Sequence, residues 1–433
     1  MAQAAEVTLQ QIKNLLDGPI DRDVMNVAFG DSPSVDAFSR LRVSNPDTLM
    51  EAKFHYDKNP QQWDELVANG GTAVLDQDES TILMTATATN ASRVIRQHHG
   101  YHPYEPGKSQ FMSETFVLGT ADADVDKMVG YFDDNDGIFL RVDSTGPAMI
   151  RRSSVTGTPV DSVIRQADWN LDAMDGSGRG SNPSGLTLDL TKAQLLNIDL
   201  QWLSAGRARI GFDIGGRITY VHQFLAANVL DVPYMRTAVL PTRYEIVRTS
   251  GGAVTSSMKQ ICSSVMSEGG ETRSRGKFFA ADNDTTAVSA VQDTPTPIIS
   301  IRPALLFKGL TNRVPVFPLA IEILCETNPV HWDIYLNPTL TAPEWNPAET
   351  NSAMEFDVAA SAFADGEHIL GGYCSASGPG QGRNGAGDQN LFGDLQIALD
   401  IAGTGQANIL TLVAAGIGGA APTYCEMTWR ELQ

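Results

Sequence analysis

The chain reads as all-β: two β-sandwich or jelly-roll-like domains preceded by an N-terminal helix and an extended arm. Three observations lead there. Between Gly185 and Ile246 apolar and polar residues alternate, with Leu196, Ile198, Leu200 and Trp202 on one face and Asn197, Asp199 and Gln201 on the other. A period of two marks a strand with one buried face. Short runs of the same kind recur along the chain, separated by Gly, Asn, Asp and Pro. Finally, 433 residues exceed what one small core organises, which favours two domains.

The Gly185–Ile246 stretch is the best-defined part. After Leu196–Trp202, the turn Ser204-Ala205-Gly206-Arg207 leads into a second alternating run, Ala208 to Asp213. Gly215-Gly216 supplies a tight turn, because glycine reaches positive φ without steric cost. A third run, Arg217 to Phe224, is expected to put Ile218, Tyr220, His222 and Phe224 on one face. The result is an antiparallel meander whose Asp189, Asp199 and Asp213 stand on the solvent side.

In chain order, residues 1–46 form a helix and anchoring arm. The helix spans Thr8 to Asp17, with Thr8 as cap, Leu9, Ile12, Leu15 and Leu16 as its apolar stripe, and Gly18-Pro19 as its stop. So short a helix needs a surface to cover its stripe, and a neighbouring copy is the favoured one. Residues 47–270 form the larger sandwich, with a short helix at Pro60–Ala68 and strands at Thr81–Thr89, Ser92–Gln97, Gln110–Leu118, Lys127–Phe132, Gly137–Asp143 and Met149–Val155 ahead of the meander, then Tyr244–Val247 and Ser257–Glu268. Residues 271–297, polar and ending in Pro295 and Pro297, suit a linker. Residues 298–433 form the smaller sandwich, with strands at Ile298–Arg302, Ala320–Cys325, Trp332–Leu336, Ala353–Val358, Leu395–Ile401, Ile409–Ala415 and Cys425–Glu431, and a long glycine-rich loop from Gly371 to Asp388.

Composition narrows the function classes. Lys and Arg total 31 against 51 Asp and Glu, a net charge of −20, which disfavours direct contact with a phosphate backbone. No apolar run approaches the roughly 20 residues that cross a bilayer, so membrane insertion is not expected. The first residues lack the basic and apolar regions of a signal peptide, so synthesis in a cytoplasm is expected. Four cysteines, Cys262, Cys325, Cys374 and Cys425, show no paired spacing and read as buried reduced thiols.

Candidate chemistry is sparse. Gly107-Lys108-Ser109 lacks the upstream glycine of a phosphate loop, since His102 occupies that place, and reads as a turn after Pro106. In Asp133-Asp134-Asn135-Asp136-Gly137 the spacing puts Phe132 and Asp143 where a calcium loop needs ligands. A hairpin turn explains the cluster, with an irregular calcium site as the alternative. His98, His99 and His102 read as a surface loop, with a transition-metal site as the alternative. No closely spaced acidic pair suits glycoside hydrolysis, and no Gly-x-Ser-x-Gly elbow is present. Trp169, Trp332, Tyr335 and Trp345 are the aromatics that could stack on sugar, with Trp332 and Trp345 as the candidate glycan contacts. No catalytic residue, cofactor or metal ligand is assigned, and an enzyme is not expected.

Several strings together resemble a family. They are Ala37–Pro46, Tyr104–Gln110, Val129–Gly137, Trp169–Asp172, Ser184–Lys192 and Leu240–Ile246. The set is similar to virion structural proteins of tailed, largely aquatic and marine bacteriophages, and it covers roughly residues 36–270 in order. The resemblance implies a part of a virus particle, assembled in a host cytoplasm: a fibre, baseplate or tail appendage, or a head decoration protein. The expected partners are other copies, as a trimer, and other virion proteins, with a host surface glycan as a further partner. Leu9, Ile12, Leu15, Leu16, Phe38 and Leu41 would form the assembly interface. The alternative function is a carbohydrate-binding adhesin or a polysaccharide depolymerase of the adsorption apparatus.

Overall fold

A computed structural model describes residues 32–178, 180–252, 254–270, 276–376, 395–401 and 408–433. The helix expected over Thr8–Asp17, with Leu9, Ile12, Leu15 and Leu16, lies outside the described residues. Within them the chain is all-β, and its one helical turn is a 3-10 turn at Gln166–Asp168.

Fifteen strands build the first sandwich: β1 (Asp47–Ala52), β2 (Trp63–Ala68), β3 (Thr72–Asp76), β4 (Thr81–Ala86), β5 (Arg93–His98), β6 (Ser109–Val117), β7 (Val125–Phe132), β8 (Gly137–Asp143), β9 (Gly146–Ser153), β10 (Val160–Arg165), β11 (Gln194–Leu200), β12 (Arg207–Ile214), β13 (Arg217–Leu225), β14 (Thr242–Arg248) and β15 (Ser256–Glu268). An eight-stranded sheet runs β13-β12-β11-β6-β15-β4-β3, with β1 also on β15. A seven-stranded sheet runs β10-β9-β8-β7-β14-β5-β2. Their inner faces share one core, in which Met112, Phe116, Leu196, Ile198 and Phe212 meet Val129, Leu140, Met149, Tyr244 and Ile246. Burial of that apolar area is what drives the two sheets together.

The second sandwich comprises β16 (Lys277–Asp282), β17 (Val288–Ala290), β18 (Thr296–Pro303), β19 (Leu306–Phe307), β20 (Leu310–Thr311), β21 (Val316–Cys325), β22 (Val330–Leu336), β23 (Thr339–Thr341), β24 (Asn346–Pro347), β25 (Met354–Asp357), β26 (Ala362–Ala364), β27 (Glu367–Cys374), β28 (Leu410–Gly416) and β29 (Ala421–Glu431). A six-stranded sheet, β24-β25-β18-β28-β22-β27, faces a four-stranded one in which β29 pairs with β16 and β17 on one edge and β21 on the other. Every second residue of β29 from Ala421 to Glu431 is buried, so Met427 and Trp429 join Ile299, Ile301, Ile334 and Leu412 in a second core. Glu431 ends that row: its carboxylate accepts from Trp429 Nε1 at 2.9 Å, Ser352 Oγ at 2.5 Å and Ala353 N at 2.9 Å.

Several expectations need correction. Residues 60–68 hold no helix; β2 pairs with β5, Trp63 opposite His98, because the edge of the seven-stranded sheet offers backbone partners that an isolated helix lacks. The stretch 271–297, expected as a linker, carries β16 and β17, both paired to β29. Gly371 and Gly372, expected in a loop, lie inside β27. No strand forms over 395–401, where Ile397 makes only a bridge to Val316. In the meander, Ile210 pairs with His222 and Gly211 with Tyr220, which leaves Val221 as a bulge. Tyr220 therefore leaves the face of His222 and Phe224.

The bulge serves a buried ion network. Asp199 is not on the solvent side; it is fully buried, bonded to Arg209, and accepts from Ser109 Oγ at 2.8 Å, Tyr220 Oη at 3.0 Å and Arg42 Nη2 at 2.5 Å. Residues 35–42, expected as an extended arm, form a hook docked here on their own sandwich. Ala37 N reaches Asp199 at 3.2 Å, and Arg209 donates to the Val35 carbonyl at 2.7 Å. Phe38 is half-buried under the Arg40 guanidinium, and Leu41 is 41 % exposed.

Candidate functional site

The site that the fold constructs lies at the seam between the sandwiches. β7 and β8 are joined by Asp133-Asp134-Asn135-Asp136, a tight turn in which Asp133 N donates to the Asp136 carbonyl at 2.9 Å and the Asp133 side chain caps Asn135 and Asp136. It is the hairpin turn expected from the sequence, with an unforeseen partner. Arg313, from the second sandwich, donates from Nε and Nη2 to Asp133 at 2.6 and 2.8 Å and from Nη1 to Asp136 at 3.1 Å. The cluster is thus a guanidinium receptor, and no group of His, Cys, Asp or Glu suited to a metal occurs among the described residues. Nearby, Gln396 Nε2 donates to the Tyr101 carbonyl at 2.9 Å. Gly100 is what lets it approach: a Cβ there would lie 2.6 Å from Gln396 Oε1.

Beside this clasp is a cavity of about 350 Å³. One wall is polar and comes from the first sandwich: Gln97, Tyr101, Asp134 and Arg243. The other is largely apolar and comes from the second: Leu305, Leu306, Leu399 and Ile401, with Thr311 and Asp400. Leu305 and Leu306 are 44 % and 59 % exposed, so the rim is open. Strand alternation aims the polar wall outward. On β14, Tyr244 and Ile246 point into the core, while Arg243 and Glu245 point away, with Gln97 opposite Arg243 on β5. Arg243 Nη1 holds Asp134 at 2.9 Å and Nη2 lies 3.1 Å from Glu245 Oε2, yet its Nε lacks a hydrogen-bond partner in the protein, as does Gln97 Oε1, and both residues are about 1 % exposed. Buried polar groups are ordinarily satisfied, so unsatisfied ones at a cavity wall indicate a place for a polar ligand. Burial pushes the Asp134 carboxyl up, but Arg243 and Arg93 together hold it below its ordinary value, as an acceptor.

Apart from the Asp133–Asp136 turn, the residues nominated from sequence lie elsewhere. His99 and His102 are buried rather than in a surface loop: His99 Nε2 sits 2.8 Å from Asp64, and His102 stacks between His98 and Tyr131. Trp332, expected to be an exposed sugar platform, is 5 % exposed and belongs to the second core. Trp345 is half-buried, with the Arg302 guanidinium 4.0 Å over its ring. Trp169 is buried as well. The seam residues went unnoticed because Gln97, Arg243, Leu305 and Arg313 share no motif and come together only through sheet pairing.

No family model matches the chain, and no curated protein matches it. Among solved structures, the Emp47p carbohydrate recognition domain is 13 % identical, with a TM-score of 0.29, covering 52 % of this chain and 97 % of its own. A legume lectin-like domain from Entamoeba histolytica is 11 % identical, with a TM-score of 0.30 and coverages of 52 % and 98 %. A glycoside hydrolase family 16 endo-glucanase from Bacteroides ovatus is 10 % identical, with a TM-score of 0.32 and coverages of 50 % and 99 %. These TM-scores are too low for the likeness to carry function.

Proposed function

We propose that the protein is a non-enzymatic, sugar-recognising surface component of a tailed-phage particle, with the seam cavity as its binding site. The observation that carries this is the pairing of one unsatisfied donor, Arg243 Nε, and one unsatisfied acceptor, Gln97 Oε1, with a leucine-lined wall. A pyranose offers the complement, a hydroxyl edge that both donates and accepts and a C–H face that is apolar. An anionic ligand fits less well, because Asp133, Asp134 and Asp400 outnumber Arg243 on the lining and the chain carries −20 overall. Hydrolysis is also less well served. It needs one carboxyl that keeps its proton near neutrality, whereas Asp133 and Asp134 are each engaged by arginine. The virion part of the reading rests on the string resemblance over residues 36–270.

Titration calorimetry of the purified chain against neutral and anionic oligosaccharides tests the binding site. Binding of a neutral sugar that weakens at least tenfold in Thr311→Ala and Leu306→Ala, both on the open rim, is the expected result. No heat at millimolar sugar, or equal affinity in both variants, overturns it. Immunogold labelling of intact particles tests the location separately: label on head or tail is expected, and unlabelled particles refute the virion reading.

A further inference from the structure

Cys325 ends β21 and Cys374 ends β27, strands of different sheets, yet their Sγ atoms lie 3.3 Å apart across a separation of 49 positions. Both are buried, at 0 % and 5 % exposure. A disulfide needs its sulfurs at about 2.0 Å, so side-chain rotation with a small backbone adjustment closes the remaining gap. The geometry points to Cys325 and Cys374 as an oxidation site, at which an intrachain disulfide staples the edge strand β27 to β21 of the facing sheet. The inference is independent of the sugar-binding reading.

Hydrogen peroxide is the oxidant with the right chemistry. One cysteine, as thiolate, attacks the O–O bond; the sulfur becomes a sulfenic acid and hydroxide leaves, taking up the thiol's proton as water. The second thiolate then attacks the sulfenic sulfur, the S–S bond forms, the S–O bond breaks, and the departing hydroxide is protonated to a second water. Two thiols and one peroxide thus become one disulfide and two waters. Burial, followed by the neighbouring Cys374, pushes the Cys325 thiol up to about 12. The reaction is therefore slow and proceeds through local opening. β27 suits this, since it lies at the edge of its sheet with β22 as its ladder partner.

The test exposes the full chain to hydrogen peroxide, then denatures it without reductant, alkylates it with iodoacetamide and reads the intact mass and a peptide map. Untreated protein takes up label at all four cysteines. The expected product carries two labels, on Cys262 and Cys425, and one cross-linked peptide pair joining Cys325 to Cys374. Its thermal midpoint is higher than that of the reduced protein and reverts with reductant. Cys374→Ser gives no cross-link and no reductant-sensitive shift in midpoint. Four labels after an exposure that fully oxidises a reference dithiol peptide, or a cross-link between another pair, overturns the proposal. Because the midpoint comparison uses the unaltered chain, poor folding of the variant leaves it decisive.

Discussion

Arg313 puts two guanidinium nitrogens on the Asp133 carboxylate, and that pair couples the two sandwiches. Both side chains are nearly enclosed, 10 % and 7 % exposed, and Asp136 behind them is 0 % exposed. Replacing Arg313 by Ala leaves two buried carboxylates without their cation, a loss on the order of 3–5 kcal/mol. Calorimetry is expected to show a lowered and split thermal transition, as the sandwiches melt separately.

Asp199→Asn tests the hook. The substitution keeps the shape but removes the charge facing Arg42 and Arg209, both of which donate to it. A cost of about 3–5 kcal/mol is expected from the buried Arg209 guanidinium deprived of the Asp199 charge, while Arg42 keeps Glu268 at 2.6 Å. Trypsin should then cleave after Arg40 or Arg42 faster than in the unaltered protein, while sites in the second sandwich are unaffected.

Acid should loosen the first sandwich before it touches ordinary carboxylates. Burial holds His98 down to about 4, and burial together with His98 holds His102 well below its ordinary value. An unfolded histidine takes up a proton near 6.5, so between about 6.5 and 4 the unfolded chain binds protons that the folded one refuses. Stability therefore falls as pH drops through that window, by about 3 kcal/mol for a shift the size of that at His98. Urea titrations at a series of pH values check this, and His98→Gln should flatten the slope.

Gly137→Ala should destabilise the turn that holds Asp133. Gly137 has φ +150, and a Cβ there would sit 2.1 Å from Phe132 Cβ on the paired strand. Because Phe132 is fully buried against Phe139, it cannot yield, and a cost of about 1–3 kcal/mol is expected. Gly251→Ala, with nothing within 4 Å of the added Cβ, is the comparison that should melt normally.

Much of the strand pattern was legible from periodicity, since Leu196, Ile198 and Leu200 do face the core as their alternation requires. What misled was the polar half of the alternation. Asn197 and Asp199 look like solvent residues in one strand, but both are buried, and Asp199 is covered by a hook from about 160 residues earlier. Local pattern cannot register a partner so distant. Trp63–Ala68 failed for the opposite reason: its apolar spacing admits a helix, and only the presence of β5 beside it decides for a strand. The cavity was illegible because Arg243 and Gln97 become significant only as neighbours on adjacent strands, with the second sandwich standing over them.

The position of β29 also dictates when the second sandwich can exist during synthesis. Until Ala421–Glu431 has left the ribosome, β16, β17 and β21 have no common strand to pair with, and Trp429 is missing from the core. The first sandwich, closed by β15, needs nothing beyond Glu268 for its sheets. A nascent chain thus carries one finished sandwich and one whose strand edges stay open until β29 emerges, and that interval is when stray pairing with another chain is most open to it.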